Sequence, residues 1–543
     1  MITITLILTL EMSQENENDT WSGVPLSTLP KTGPGSSLSL QYPLDNLPND
    51  EHSNCVCLTP QSFTQPMKVQ DSWDGFHVRM PWSKMNCYPE LKDGETLMKS
   101  KWELIKNTLK TKSIQSSHDL QEAILSYSPK YRGHEDWSFS TLHKLMSETL
   151  SNEESEKFFK ETLPKMINIL LSSESIIPRP VPLLVSGKSQ SIILTQEQAS
   201  VILVNAFFCT YPMRNANGAH YRNFPYINFN TLFGRGTSSR TPKSKLQELK
   251  CLIHYFTRIT ESTPSGVLTF SRVGLTRENV PNWGKSKKRM SKLHITSEGS
   301  IETEGQGMLQ VDFANKFVGG GVLTFGMAQE EIRFSICPEL LVSLLFTEAL
   351  EDNEVLLMLG AEQFSQYKGY RNTFTFDGPH DDLTGKDEQS RRETAIVAMD
   401  AVKFSNSNID GQLQFEKGKM NRELNKAFVG FSNHGAISGQ LQAVATGNWG
   451  CGAFGGDVRL KFLIQLMAAS ENMRDMAYFT FGDKTLVSEA GKIHRLLMKR
   501  GVTVGQLYKM IMDYCQKSGA KSGGELYRDI FENLEKDNKC CLF

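Results

Sequence analysis

Residues 308–334 read MLQVDFANKFVGGGVLTFGMAQEEIRF, and the fold depends on how this run is taken. MLQVDF (308–313) is a short apolar run carrying Asp312. Gly319, Gly320 and Gly321 then stand in a row. Three consecutive glycines weaken a helix or a strand, so the backbone there takes unusual dihedrals or lies close against another group. A second apolar run follows, and Gln329, Glu330 and Glu331 open an amphipathic segment. Two adjacent carboxylates repel each other and cost desolvation when half buried, which suits a cleft that binds hydroxyls or moves protons. Acidic residues also suit the first turn of a solvated helix, so the pair alone does not decide.

Working outward from this run, β-rich and helical stretches alternate beyond Pro264. The strands expected are VLTF (267–270), MLQVDF, VLLMLG (355–360), TAIVAM (394–399), AVATG (443–447) and AYFTF (477–481). Helices are expected to begin near Pro338, Lys419, Asp457, Ser488 and Thr503. Continuous apolar strands between amphipathic helices predict a layered α/β domain covered on both faces. Ligands in such sheets sit beyond the carboxyl ends of strands, which would put the loops after Phe313, Gly360, Gly447 and Phe481 on one rim.

The N-terminal half reads differently. From Trp82 to Arg258 the pattern is helical, with Phe159, Leu163, Met166 and Leu170 at one-face spacing. Thr195 and Gln198 form a capping-box signature ahead of a helix through Ile202, Leu203, Ala206 and Phe207. Residues 1–75, rich in Ser, Pro, Asn and Gly, read as a disordered leader. The expected division is leader 1–75, mainly helical accessory domain 76–262, α/β domain 263–520 and C-terminal tail 521–543.

The chain has 543 residues, long enough for two or three folded units, and 39% hydrophobic residues can fill a large core. A net charge of -1 gives no overall attraction to nucleic acid, so a polyanionic ligand needs a local site. The ten cysteines show no paired CxxC spacing of a zinc site. MITITLILTLEM lacks the basic region and small-residue cleavage site of a signal peptide and is read as neither signal nor membrane span. Cys540-Cys541-Leu542-Phe543 formally fits a prenylation box.

A second glycine-rich loop, in ATGNWGCGAFGGDVRLKFL, contains Gly450-x-Gly452-x-x-Gly455 between a predicted strand and a predicted helix. Small residues there let main-chain N–H groups face a diphosphate, and the helix N-terminus adds its dipole. Asp483, after the next strand, stands where a ribose-binding acid of a nicotinamide site would, although too little chain remains to complete that fold. Tyr367, Tyr370, Phe454, Phe479 and Phe481 border the same rim. Phe479 and Phe481 share a strand face, so at least one is expected in the core, while Phe454 in mid-loop suits stacking on a base or ribose.

GGGVLTFGMAQEE resembles the GGG…QEE signature of the poly(ADP-ribose) glycohydrolase family. VDFANKFVGGG, GYRNTF, LQAVATGNWGCGAFGGD, YFTFGD, NAFFCTYP and YINFNTLFGR look like neighbouring family blocks. The resemblance implies a three-layer α/β/α macrodomain with a mixed central sheet, joined to the helical accessory domain. It implies cleavage of ribose–ribose O-glycosidic bonds of poly(ADP-ribose), mainly from the free end, with no cofactor and no metal. Carried over by position, Glu331 is the catalytic acid/base, Glu330 binds ribose hydroxyls, Gln329 completes the signature, and Asp312 and Asn315 support and contact the terminal ribose. Gly319, Gly320 and Gly321 form the catalytic loop. Gly452, Ala453, Phe454, Gly455 and Gly456 form the diphosphate loop. Tyr370, Asn448 and Phe481 contact ligand, and Ile301 and Glu302 contact adenine. The implied partners are poly(ADP-ribose) and poly(ADP-ribosyl)ated proteins, for a monomer of nucleus and cytoplasm acting in the DNA damage response. Neither sequence-specific nucleic-acid binding nor a transmembrane segment is expected. The alternatives are a macrodomain that only binds ADP-ribose and a nicotinamide-dependent enzyme.

One limit on mechanism comes from the residues themselves. Glycosidases that use two carboxyls place them about 5 Å or more apart across the sugar, whereas adjacent side chains diverge along a chain. One glutamate alone is therefore expected to perform both proton steps, and the resemblance implies that it is Glu331.

Overall fold

The computed structural model describes residues 23–31, 55–58, 68–212, 223–234, 242–404, 408–433, 441–519 and 521–540. MITITLILTLEM and the terminal Cys541-Leu542-Phe543 lie outside the described residues. In chain order the first strands are β1 (Cys55–Cys57), β2 (Cys87–Lys92), β3 (Glu95–Ser100), β4 (Gln190–Thr195), β5 (Val267–Gly274) and β6 (Leu293–Thr296). They are followed by β7 (Leu309–Asp312), β8 (Glu354–Gly360), β9 (Ser365–Lys368), β10 (Thr375–Pro379), β11 (Arg392–Ala398), β12 (Val444–Gly447) and β13 (Met476–Phe479). The longer helices of the first half are α1 (Lys101–Thr111), α2 (Ser117–Ser126), α3 (Leu163–Leu171), α4 (Gln196–Phe207) and α5 (Lys243–Glu261). Those of the second are α6 (Gln329–Ile336), α7 (Lys417–Gly430), α8 (Val458–Glu471), α9 (Lys484–Lys499), α10 (Val504–Gln516) and α11 (Gly523–Cys540). No helix among the described residues is long and apolar enough to cross a membrane.

Nine strands make one sheet in the order β1-β4-β5-β8-β11-β7-β12-β13-β6. From β11 to β6 the neighbours are parallel. From β4 through β11 they are antiparallel, so the sheet is mixed. Its strands are apolar on both faces because both are covered. In β8, Leu356 and Met358 join a core with Val201 and Phe207 of α4, Leu249 of α5 and Phe334 of α6. The alternate residues Val355, Leu357 and Leu359 join a core with Leu424 of α7, Leu463 of α8, Ile493 of α9 and Ile511 of α10. The period of two along each strand thus feeds two helical layers.

Side-chain caps start several of these helices. Thr195 and Gln198 form the expected capping box of α4, with bonds of 3.0 Å in both directions. Asp457 accepts from Arg459 N and Leu460 N ahead of α8, and Asp483 accepts from Leu486 N at 2.9 Å ahead of α9. Asp483 is therefore a helix cap, which removes the ribose-binding acid that a nicotinamide site would need.

Four sequence expectations need correction. The sheet crosses the boundary expected at 262–263: Gln190–Thr195 pairs with Val267–Gly274, and Cys55–Cys57 pairs with Gln190–Thr195. QSIILT is an apolar strand that the helical texture around it concealed. Part of the leader is packed, since Leu29 is buried with Ile301, Met308 and Phe479, and Val24 N donates to Leu293 O at 2.8 Å. The tail contains helix α11, with Leu526, Tyr527 and Ile530 buried in the second core. Finally, β8 runs antiparallel to β11, so Gly360 pairs with Arg392 at the start of β11, on the rim opposite the carboxyl end of β7. Between Gly360 and Arg392 the chain forms the β9–β10 hairpin, whose Tyr367, Gly369, Tyr370 and Arg371 line the cavity described below.

Leu29 is the apolar anchor of its segment, so Leu29→Ala should lower unfolding free energy by about 2–4 kcal/mol, measured by denaturant titration. A change below about 0.5 kcal/mol would mean that this segment does not pack.

Candidate active site

The carboxyl end of β7 and the start of α6 are tied together by their own side chains. Gln329 Oε1 accepts from Phe313 N at 2.8 Å, and Gln329 Nε2 donates to Val311 O at 3.3 Å. Glu330 accepts from Asn315 N at 2.9 Å and from Gly319 N at 2.6 Å. Glu331 accepts from Gly321 N at 2.9 Å and from Ala328 N at 2.7 Å. The two acids therefore hold opposite ends of the glycine triplet. Gly319 has φ of 94° and Gly320 has φ of 52°, both in the region that favours glycine. A Cβ on Gly320 would lie 2.5 Å from Glu330 Oε2 and 2.7 Å from Glu331 Oε1. The triplet exists because two carboxylates press on the backbone, and they do so from one side of the loop, not as an opposed pair.

Burial sets the electrostatics. Asp312 is fully buried, and neither carboxylate oxygen has a hydrogen-bond partner among the described residues. Burial, reinforced by the Glu331 charge and opposed by Arg333, pushes Asp312 up to about 8. Burial first, then the charges of Asp312 and Glu331, raises Glu330 well above the usual carboxylate range, against its two backbone hydrogen bonds. Both groups are held toward their neutral forms. Arg333, whose Nη2 donates to Gln310 Oε1 at 2.7 Å, supplies the nearby positive charge.

The acids open onto a cavity of about 630 Å³, within the range of small-molecule sites. Of the residues singled out in the sequence, Glu302, Asn315, Gln329, Glu330, Glu331, Tyr370, Asn448, Gly452, Ala453, Phe454 and Phe481 line it. Asp312, Ile301, Gly319, Gly320, Gly321, Gly455 and Gly456 do not. Asp312 is fully buried, Ile301 packs with Leu29 and Phe479, and Gly320 stands against the two glutamates.

The second glycine loop lines the same cavity. Gly455 N donates to Gly452 O at 3.2 Å, which closes a tight turn, Gly456 N donates to Gly450 O at 2.9 Å, and Phe404 N donates to Phe454 O at 2.8 Å from outside the loop. Gly450 and Gly455 have φ of 74° and 69°. The N–H groups of Gly452, Ala453 and Phe454 have no acceptor among the described residues. Asp457 already takes the Arg459 and Leu460 N–H groups of α8, so the loop backbone is the part of this segment with N–H groups left for an anion. Phe479 is buried, whereas Phe481 has φ of 53°, is 47% exposed, and meets Phe313 edge to face at 6.4 Å.

Sequence reasoning left Arg371 and Arg333 out of the site. Arg371, with φ of 53°, lines the cavity, and its Nη2 stands 3.7 Å from where a Gly452 Cβ would be. Its signal was an arginine next to Tyr370. Tyr367 donates to Glu302, both of which line the cavity, and burial followed by the Glu302 charge raises its phenol.

Asp312 carries a testable consequence. Its folded value of about 8 exceeds its ordinary 3.8. The folded protein therefore keeps a proton that the unfolded chain has released, and this group's contribution to stability falls as pH rises through that window. Asp312→Asn should raise the melting temperature relative to wild type more at about pH 8 than at about pH 5. Equal shifts at both, read by calorimetry, would show that Asp312 is ionised in the folded state.

Comparison with known proteins agrees with this geometry. A family model described as poly(ADP-ribose) glycohydrolase, macro domain fold, matches residues 280–488, and one for the helical domain of the same family matches 150–272. Poly(ADP-ribose) glycohydrolase 1 of Arabidopsis thaliana is 31% identical over 465 residues, covering 69% of this chain and 83% of the relative. Probable poly(ADP-ribose) glycohydrolase 2 of the same plant is 31% identical over 425 residues, covering 67% and 80%. Poly(ADP-ribose) glycohydrolase 2 of Caenorhabditis elegans is 29% identical over 413 residues, covering 74% and 80%. With the sheet, the glycine loop and the QEE helix start in the arrangement described, this chain belongs to the poly(ADP-ribose) glycohydrolase family.

Proposed function

We propose that this protein hydrolyses the ribose–ribose O-glycosidic bonds of poly(ADP-ribose) and releases ADP-ribose, working mainly from the free end of the polymer. The observation that carries this reading is the placement of Glu331. Its carboxylate is held by Gly321 N and Ala328 N at the wall of a cavity that Gly452, Ala453 and Phe454 also line. A diphosphate against that backbone, with Arg371 beside it, would direct the attached ribose toward the glutamates.

In this mechanism Glu331 donates its proton to the departing ribose 2'-oxygen as the glycosidic bond breaks. It then removes a proton from the water that attacks the oxocarbenium-like carbon. Glu330, held toward its neutral form by burial, binds ribose hydroxyls. Its position on the same side of the loop as Glu331 gives no support to an inverting or double-displacement pair across the sugar. Polymer-bearing proteins of nucleus and cytoplasm are the proposed partners.

The test is incubation with poly(ADP-ribose) and chromatography of the products. Wild type should release free ADP-ribose. Glu331→Gln should lose roughly 10²–10⁴-fold in rate while still binding ADP-ribose in a calorimetric titration. Tight binding without release by wild type would identify a reader, and AMP derivatives among the products would mean diphosphate cleavage.

A further inference from the structure

The glycine loop is braced from behind by the helical layer. Lys245, in the first turn of α5, is buried, and its Nζ donates to Val322 O at 3.2 Å. The same ammonium is paired with Glu248, also buried, at 2.5 Å. Thr231, in the short turn Asn230–Phe233, donates through Oγ1 to Leu323 O at 2.8 Å. Val322 and Leu323 directly follow Gly321, whose N–H holds the Glu331 carboxylate. Two adjacent carbonyls of the catalytic loop are thus fixed by two side chains from outside the macrodomain match, which begins at residue 280.

A buried ammonium is costly, and Lys245 does not line the cavity. The loop it meets has positive φ at Gly319 and Gly320, so its intrinsic conformational freedom is large. External hydrogen bonds are what select one arrangement of such a loop. Helix α5 also braces the β9–β10 hairpin, since Gln247 Oε1 accepts from Phe376 N at 3.2 Å.

We propose that Lys245 and Thr231 are positioning residues for the reaction: by holding Val322 O and Leu323 O they keep Gly321 N–H on Glu331, so the helical layer sets the catalytic geometry. The inference rests on the reading of Glu331 as the proton-transfer group. Its structural half, that these residues order the loop, can be read without catalysis.

The experiment compares wild type with Lys245→Met/Glu248→Met, with Thr231→Val and with all three changes together. Replacing both members of the buried pair avoids leaving one charge alone, a change that cores often tolerate. Glu261→Gln, which breaks the exposed Lys157–Glu261 pair at the far end of α5, is the control. Amide exchange of peptides covering 317–327 should quicken by about tenfold or more in the triple variant and stay unchanged in Glu261→Gln. In polymer hydrolysis the triple variant should lose roughly 10- to 100-fold in kcat, with KM and ADP-ribose affinity unchanged. Unchanged exchange would overturn the proposal whether or not wild type is active. Faster exchange with full kcat would overturn the catalytic half, and a wild type that releases no ADP-ribose would sink the hydrolase reading and with it that half, while exchange still decides the loop. Loss of melting temperature with intact kcat would show a purely structural role.

Discussion

Two carboxylates grip one glycine loop, and the site is built around that grip. Glu330 takes the N–H of Gly319 and Glu331 takes the N–H of Gly321. Any side chain on Gly320 would collide with both acids. The hydrogen bonds satisfy backbone donors that would otherwise be buried without partners, and they fix the direction of each carboxylate. The proposed role of Glu331 in proton transfer needs that fixity, because a small misplacement costs rate heavily. Gln329 extends the grip to the end of β7, so strand, loop and helix become one unit.

The same grip has an electrostatic cost. Asp312, Glu330 and Glu331 crowd within a largely buried volume, and the nearest compensation is Arg333. Asp312 and Glu330 are thereby held toward their protonated forms. Asp312 is the extreme case, fully buried with neither oxygen bonded among the described residues. Strain of this kind concentrates at functional sites, and the large double-sided core of the sheet offsets it.

The relation between the two halves of the chain differs from that of a domain with an appendage. Helices α4 and α5 cover one face of the sheet, as α7 to α10 cover the other. Strands β1 and β4 extend the sheet itself. The helical half is therefore a layer of the sandwich, and its α5 reaches the glycine loop through Lys245 and the hairpin through Gln247.

Much of this was legible in the sequence because it depends on local chemistry. Continuous apolar strands mean covered faces wherever they lie, Thr195 with Gln198 caps a helix by spacing alone, and GGG close to QEE puts loop and acids within a few residues of each other. What only the tertiary structure decided are the contacts between residues far apart in the chain. Neither the reversal of β8, which sends Gly360 to the opposite rim, nor the burial of Leu29 has a local signal. Arg371 meets Gly452, and Lys245 meets Val322, only because the sheet and its two layers bring them together. Periodicity reports which face of an element is buried, but not which partner buries it.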